Sequence, residues 1–137
     1  ECERFLKDTP IRLLRDTIIT LPNGLQIIGR DDRSNRRRTP IADLMKKIDT
    51  ARPTLLLDRQ PYEVAKKDRL GMDIQFSGHT HRGQVWPMSL LVDNMYEQSY
   101  GYRKWSHSHV YVSSGLSLWG PPFRIGTDSD MGLLVIQ

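Results

Sequence analysis

Short apolar runs alternate along this chain with segments of helical period. Thr54–Leu57 is an apolar run that predicts a buried strand, and alternating apolar positions predict a second strand over residues 72–77. Pro61 is expected to open a helix over residues 62–70 between them. Two strands joined by a helix favour a parallel pair, and parallel neighbours end at the same edge of a sheet. We therefore expect the polar loops after both strands to lie side by side.

Other elements extend this unit in both directions. Residues 11–21 and 25–29 are rich in β-forming residues and flank Pro22-Asn23-Gly24, which predicts a β-hairpin. Thr39 and Pro40 are predicted to cap and open a helix. The apolar stripe of this helix consists of Ile41, Leu44, Met45 and Ile48. The remaining predicted elements are a helix end at residues 1–7, a helix at residues 88–95, an aromatic strand within residues 96–105, and strands at residues 110–112 and 133–136.

This order of elements predicts an α/β fold, with a mixed β-sheet and flanking helices. The length corresponds to a single domain, residues 1–137, with a modest core. No apolar run approaches the roughly 20 residues that a membrane-spanning helix needs, so any membrane anchor is expected in sequence outside this chain. Cys2, as the one cysteine, excludes an internal disulfide.

The most informative chemical signal is Gly78-His79-Thr80-His81-Arg82-Gly83-Gln84, directly after the strand predicted at residues 72–77. In an extended backbone, residues i and i+2 point to the same side, so His79 and His81 are expected to face one pocket. Neutral imidazole is the commonest metal ligand among side chains. The segment is therefore a candidate metal-binding loop, and the alternative is a pair of surface histidines that happen to alternate.

Together with the strand ends, this loop resembles the calcineurin-like metallophosphoesterases, in their bacterial and often membrane-attached branch. Residues 55–125 are similar to the closing part of that family. Its members usually carry Leu-Leu-x-His-x-Pro at a strand end, then Gly-His-x-His, then a segment like Val112-Ser113-Ser114-Gly115-Leu116 before Arg124. The resemblance implies half of an αββα sandwich and a centre of two divalent ions of the Mn, Fe or Zn type that hydrolyses a phosphoester. It also implies that His79 binds the second metal and His81 the first.

Two features depart from the family pattern. The family's first metal-ligand motifs, Asp-x-His, Gly-Asp and Gly-Asn-His, occur nowhere in the chain. We therefore expect a C-terminal half whose partner is the missing N-terminal half of the domain. Arg59 stands where the family has a metal-binding histidine, and a guanidinium has no lone pair to donate to a metal. Arg59 and Arg82 remain candidates for binding substrate phosphate, with a solvated arginine as the alternative interpretation of Arg59.

The formal net charge of +4 permits an anionic partner without identifying one. Five arginines crowd into residues 30–38 among polar residues, which predicts a loop, called here the arginine loop. It lacks interleaved aromatic residues on which bases could stack, so nucleic acid is not the expected partner and a solvated loop is favoured.

Two further groups of residues have both a functional and a structural interpretation. His107-Ser108-His109 is a second pair of histidines. Both pairs together could close around a structural zinc ion, or the second pair could be hydrogen-bonded structural histidines. The aromatic group consists of Tyr96, Tyr100, Tyr102 and Trp105. These side chains either wall a substrate pocket or, in the interpretation that we favour, pack a strand onto the core.

The expected function is phosphoester hydrolysis by a two-metal centre to which this chain contributes a part, so that the chain alone is weakly active or inactive. The alternative is a non-catalytic anion-binding module, derived from a degenerate metallophosphoesterase, that uses Arg59, Arg82 and the arginine loop. Half of a sandwich leaves an apolar sheet face uncovered. This face is expected to pack against a second copy, as in a homodimer, or against a shifted element.

Overall fold

The computed structural model describes residues 6–135, and this part of the chain forms a six-stranded sheet. Its strands are β1 (Thr17–Thr20), β2 (Gln26–Gly29), β3 (Thr54–Leu57), β4 (Ile74–Ser77), β5 (Gly101–Lys104) and β6 (His109–Val112). The helices are α1 (Ile41–Met45), α2 (Val64–Arg69) and α3 (Met88–Met95), with a 3₁₀ turn at His81–Gly83. Within residues 6–135, no helix is long and apolar enough to cross a bilayer.

The strands lie in the order β1-β2-β3-β4-β6-β5. The central strands β2, β3, β4 and β6 run parallel, whereas the edge strands β1 and β5 are antiparallel to their neighbours. Helix α2 connects β3 to β4, as the sequence predicts for a parallel pair. The predicted α/β fold with a mixed sheet and flanking helices is confirmed.

Several predicted boundaries shift: α2 begins at Val64 and not directly after Pro61, and β4 begins at Ile74. The hairpin forms, but its first strand begins only at Thr17. Pro40 has φ −55° and ψ 139°, an extended conformation without a side-chain cap, so α1 begins at Ile41 and not at Pro40 as predicted. The helix end predicted at residues 1–7 falls largely on residues 1–5, which lie outside the described part.

One face of the sheet is covered by α1 and α2. Ile28, Leu56 and Val110 are fully buried on this face and lie in register, with Gln75 between the last two. The side chains that pack with them from α1 and α2 are Ile41, Leu44, Met45 and Val64. Because a parallel strand pair buries apolar groups under its crossover helix, this layer forms the core.

The opposite face, called here the open face, is covered only in part. Leu57, Phe76 and Tyr111 lie in register across it. Residues 11–14 and 131–134 pack against this face and leave two cavities of about 400 and 340 Å³. The segment 131–134 lies so close to the sheet that a Cβ added at Gly132 would lie 2.8 Å from the ring of Tyr111. Two shifted segments therefore provide part of the expected cover.

The strand predicted at residues 133–136 is wrong for its described part, residues 133–135, which form no strand. The backbone lies instead against the rings of Phe76 and Tyr111 at Gly132, over the face of the sheet and not beside an edge strand. The apolar run therefore lies along the open face.

Candidate metal and phosphate site

The loops that follow β3 and β4 meet at the carboxyl edge of the parallel strands. The backbone N–H of Gly78, after β4, donates to the carbonyl oxygen of Arg59, after β3, at 3.0 Å. The N–H of Ser113, directly after β6, donates to the carbonyl oxygen of Ser77 at 2.8 Å. The expectation that the two polar loops lie side by side is confirmed. Ligands of open α/β sheets bind at this kind of edge.

The two histidines of this loop face one pocket, although the extended backbone assumed for them is wrong. His79 has φ 72° and His81 has φ 48°, and a 3₁₀ turn begins at His81. Thr80, which is 7% exposed, organises this turn. Its hydroxyl donates to the carbonyl of Ser99 at 2.7 Å and accepts from the N–H of Arg82 at 3.2 Å. Both imidazoles line a single cavity of about 260 Å³, called here the histidine cavity.

Both imidazoles are biased towards the neutral form. Desolvation lowers the pKa of His79, and the guanidinium of Arg59 adds to the effect. Desolvation also lowers the pKa of His81, and Arg124 and Arg59 lower it further. The Nδ1 atom of His81 is buried and has no hydrogen-bond partner among the described residues. Neutral imidazole is the protonation state that ligates a metal.

The donors near the two histidines fit part of a metal site. Residues 6–135 contain no group of three or more His, Cys, Asp or Glu side chains arranged to hold an ion. Arg59 lines the histidine cavity at the position where the family pattern has a further histidine. His79 and His81 are therefore two imidazole donors in one cavity, fewer than the three protein ligands that a catalytic zinc site commonly uses.

The backbone behind the 3₁₀ turn is fixed by two residues whose role sequence reasoning missed. A Cβ added at Gly83 would lie 2.4 Å from the backbone nitrogen of Ser89, so the turn lies directly on the first turn of α3. Gln84 is 3% exposed, and its side chain bonds to the backbone of the loop at residues 119–123. Both residues stand in the Gly78–Gln84 motif, but their partners are remote in sequence.

The two candidate phosphate-binding arginines lie near the cavity in different ways. Arg59 lines it and pairs with Asp32 of the arginine loop at 2.7 Å, with 60% of its side chain exposed. The N–H of Ser34 and the Arg59 guanidinium hold the pKa of Asp32 far below its usual range. Arg82 lies over the ring of Tyr100, 4.5 Å from its centroid. The structure thus brings Arg59 to the histidines and stacks Arg82 on an aromatic ring.

The prediction of a solvated arginine loop is confirmed for Arg33, Arg36 and Arg37, which are exposed, but is wrong for Arg30. Arg30 is 8% exposed, and its Nη1 donates to Asp58 at 3.1 Å. Lys67 of α2 donates to the same carboxylate at 2.7 Å, and Arg38 lies 3.7 Å from it. Three cations therefore surround one buried carboxylate directly before Arg59. The burial of Arg30 was not predicted because its partner Asp58 is distant from it in sequence.

His107 and His109 lie away from the histidine cavity. His109 is opposite Ile74 at the start of β4, whereas His79 follows the end of that strand. The His109 ring shares a hydrogen bond of 2.8 Å with the Tyr102 hydroxyl, and the N–H of His107 donates to Asp68 at 2.8 Å. A zinc ion enclosed by all four imidazoles is therefore wrong. The hydrogen-bonded interpretation holds for the ring of His109, whereas His107 bonds through its backbone N–H, and both side chains are exposed.

The aromatic residues of the predicted strand serve two purposes. Trp105 packs against the buried cluster of Val64, Val110 and Val112, as the favoured interpretation expected. Tyr96 instead lines the histidine cavity, and its ring contacts that of Tyr62 at 4.8 Å between centroids. The observed strand β5 is shorter than the predicted range of residues 96–105. Tyr96 therefore lies before the strand, where it lines the histidine cavity.

Several curated proteins are similar to this chain over much of its length. An uncharacterized metallophosphoesterase from Helicobacter pylori strain J99 is 35% identical over 138 residues, which cover 95% of this chain and 36% of the relative. An uncharacterized metallophosphoesterase from Aquifex aeolicus is 26% identical over 140 residues, 97% of this chain and 53% of the relative. A zebrafish protein named as a transmembrane protein with metallophosphoesterase domain is 35% identical over 91 residues, 64% of this chain and 21% of the relative.

These likenesses concern part of each relative, since the chain spans about a third of the length of the Helicobacter pylori protein and about half of the Aquifex protein. No family model matches the chain, and no solved structure matches it either. The similarity to the Helicobacter pylori and Aquifex aeolicus proteins covers almost the whole chain. The chain therefore belongs to the calcineurin-like metallophosphoesterase family.

Proposed function

We propose that this chain forms part of a metal-dependent phosphoesterase centre in which His79 and His81 each bind one of two divalent ions of the Mn, Fe or Zn type. One observation carries the proposal: the two imidazoles line one cavity together with Arg59, at the carboxyl edge of a parallel sheet. The similar proteins from Helicobacter pylori and Aquifex aeolicus are named metallophosphoesterases, which supports a phosphoester as the substrate class.

The side chains present have distinct tasks in such a centre. Two divalent ions, when bound, supply Lewis-acid stabilisation for charge on the phosphoryl oxygens. His79 and His81 hold them, and Thr80 fixes the turn that separates the two imidazoles. Arg59 donates to a phosphate oxygen once its guanidinium leaves Asp32, since an exposed surface pair is held weakly.

We further propose that the remaining metal ligands come from an N-terminal half of the same domain. Two observations support this partner. The chain spans 36% of the Helicobacter pylori relative. In addition, the open face carries Leu57, Phe76 and Tyr111 under an incomplete cover with two cavities. A second copy of the chain on the same face is the competing cover, and sedimentation of the chain with and without its N-terminal partner distinguishes the two.

The direct test is hydrolysis of bis(p-nitrophenyl) phosphate with added manganese by the complete protein that contains this chain. We expect His79→Ala and His81→Ala each to lower kcat/KM by about 100-fold or more, because each removes a ligand from a separate ion. His109→Ala, which removes an imidazole at the opposite edge of the sheet, is the matched control and leaves the rate unchanged. The isolated chain is expected to show little or no turnover, so that robust turnover by it contradicts the shared centre.

A second candidate function is a non-catalytic anion-binding module, which the arginine at position 59 favours. Arg59 has no lone pair for a metal and lies beside both histidines in the cavity. Arg59→His in the complete protein separates the two functions. A sharp rise in turnover identifies a catalytic centre weakened at one position, whereas unchanged turnover shows that position 59 does not hold the missing ligand.

A further inference from the structure

The histidine cavity has a polar side and an apolar side. Its polar part contains Arg59, His79 and His81. Its apolar part is formed by Met88, Val92, Met95, Tyr96 and Trp119. A cavity with a few polar groups and a mostly apolar wall is the usual form of a small-molecule site. The arrangement places an apolar surface next to the groups that would hold a phosphate.

These apolar side chains are more exposed than a core requires. Met88 is 49% exposed, Met95 is 63% exposed and Trp119 is 73% exposed. No residue of α3 is fully buried. The segments on both sides of the cavity, residues 85–92 and 116–123, contain no charged residue. A contiguous, uncharged and exposed apolar surface marks a binding site more often than it marks a folding element.

Trp119 is held at the cavity by its backbone. Its N–H donates to Gln84 Oε1 at 2.7 Å, and its carbonyl accepts from Gln84 Nε2 at 2.8 Å. The same Nε2 also donates to the carbonyls of Pro121 and Phe123. Gln84 is itself buried within the loop that carries the histidines. One buried side chain therefore fixes the indole-bearing residue relative to the paired imidazoles.

We propose that the histidine cavity binds the ester group of the substrate, and that this group is apolar, either an aryl ring or a short alkyl chain. The inference rests on the proposed function, which places the phosphoryl group at His79 and His81. The volume of about 260 Å³ sets the size of the group. An apolar cavity of about 150 Å³ holds a benzene molecule, so one ring and a phosphoryl group fill the available space.

Non-hydrolysable phosphonates test this inference without turnover. Phenylphosphonate and methylphosphonate carry the same anionic group and differ in the apolar part. We expect the chain to bind phenylphosphonate about 10-fold more tightly, because burying about half of a ring has this effect on the dissociation constant. The measurement is a ligand-observed NMR titration of the complete protein that contains this chain, with manganese present and with each compound in turn.

Two tryptophans provide a matched pair of variants. Trp119→Ala is expected to reduce the preference for phenylphosphonate to less than about 3-fold, since its ring forms part of the apolar lining. Trp86 is 63% exposed but does not line the cavity, so Trp86→Ala keeps the preference. Met95→Gln, which keeps the side-chain length, is expected to lower the preference by an intermediate amount.

The outcomes separate this inference from the proposed function. Equal dissociation constants for the two phosphonates, or equal effects of the two tryptophan variants, overturn the apolar ester site. Binding of neither compound overturns it as well. In each case the proposed phosphoesterase centre is judged independently, by the dependence of metal-supported hydrolysis on His79 and His81.

Discussion

The backbone of Gly78 and that of Arg59 are joined by a hydrogen bond of 3.0 Å, from the N–H of the glycine to the carbonyl oxygen of the arginine. Through this bond the residue after β3 lies directly beside the loop that carries His79 and His81. Arg59 consequently lines the same cavity as both imidazoles. Desolvation is the main cause of the lowered pKa of His79, and the Arg59 guanidinium is the second cause. Position 59 is therefore close enough to contribute a third donor.

The first prediction concerns Arg59→His in this chain. An imidazole at position 59 gives one of the two ions a further protein ligand beside His79 or His81. It should raise the affinity for zinc at least about 10-fold, because zinc sites are built from several protein ligands. Competition with a chromophoric chelator measures the change. Arg59→Gln removes the same positive charge without adding a donor and serves as the control. A similar gain in both variants would show that the charge of Arg59, and not the missing imidazole, limits metal binding.

The second prediction concerns the contact between the 3₁₀ turn and α3. Gly83 has φ 75°, and an added Cβ would lie 2.4 Å from a backbone atom of Ser89. Gly120 has φ 69°, and a Cβ added there would have no atom of another residue within 4 Å. Gly120→Ala should cost about 1–2 kcal/mol from backbone conformation alone. Gly83→Ala should cost roughly 1–3 kcal/mol more, because the turn and the helix have to separate.

Urea unfolding of both glycine variants measures these free energies, and the difference between them isolates the clash from the backbone strain. Gly83→Ala should also weaken zinc binding, since His81 lies in the turn that has to move. Equal destabilisation of the two variants, with unchanged zinc affinity, would show that the turn does not depend on α3.

Much of the sheet could be predicted from local patterns because its strands are short apolar runs bounded by turn residues. The Pro22-Asn23-Gly24 turn identified the hairpin, and the strand-helix-strand order around α2 identified the parallel pair. The C-terminal apolar run at residues 133–136 could not be assigned in the same way. Apolarity predicts burial, but whether an apolar run pairs as a strand or lies across a sheet face depends on contacts that are remote in sequence.

The site could be predicted where its residues are adjacent in sequence, and the prediction failed where their partners are remote in sequence. His79 and His81 were identified together because they stand two residues apart. Their conformation was missed because Thr80 bonds to Ser99 and bends the backbone into a turn. The burial of Arg30 was missed for the same kind of reason, since its partner Asp58 lies 28 residues away. Contacts between residues that are distant in sequence determine both the conformation of the histidine loop and the burial of Arg30.

The third prediction concerns the buried charges before Arg59. Within the described residues, the ion pairs of Arg30, Arg38 and Lys67 all go to Asp58. Asp58→Asn leaves three cations without a counter-charge and should destabilise the fold by about 3–5 kcal/mol. Lys67→Met removes a surplus buried cation and should change stability by less than about 1 kcal/mol, or raise it.

Thermal unfolding of these two variants provides the comparison. The order of the effects is the decisive result, because both substitutions remove the same contact of 2.7 Å between Lys67 and Asp58. A loss of stability in Lys67→Met as large as that in Asp58→Asn would mean that the pair acts as a simple salt bridge. In that case the excess of positive charge would have no energetic role.

The fourth prediction concerns the pH dependence of stability at Asp68, whose side chain is 3% exposed. Burial alone would raise the pKa of this carboxyl, but donation by the N–H groups of His107 and Ser108 and by the Ser108 hydroxyl outweighs it, so the pKa lies below its usual value of 3.8. A carboxyl with a lowered pKa in the folded state stabilises the protein above its unfolded pKa. This contribution is lost as the pH falls through the folded pKa.

Asp68→Asn keeps an oxygen acceptor and removes the charge, so we expect it to lower the free energy of unfolding by about 1–2 kcal/mol at pH 7. The difference from the wild-type chain should shrink as the pH falls below about 4, because the wild-type carboxyl then becomes protonated as well. Asp43→Asn, at an exposed pair with Lys46, is the control and should have no measurable effect. Urea unfolding at pH 7 and pH 3 measures the difference. A gap between Asp68→Asn and wild type that stays constant over this range would show that the charge of Asp68 does not stabilise the start of β6.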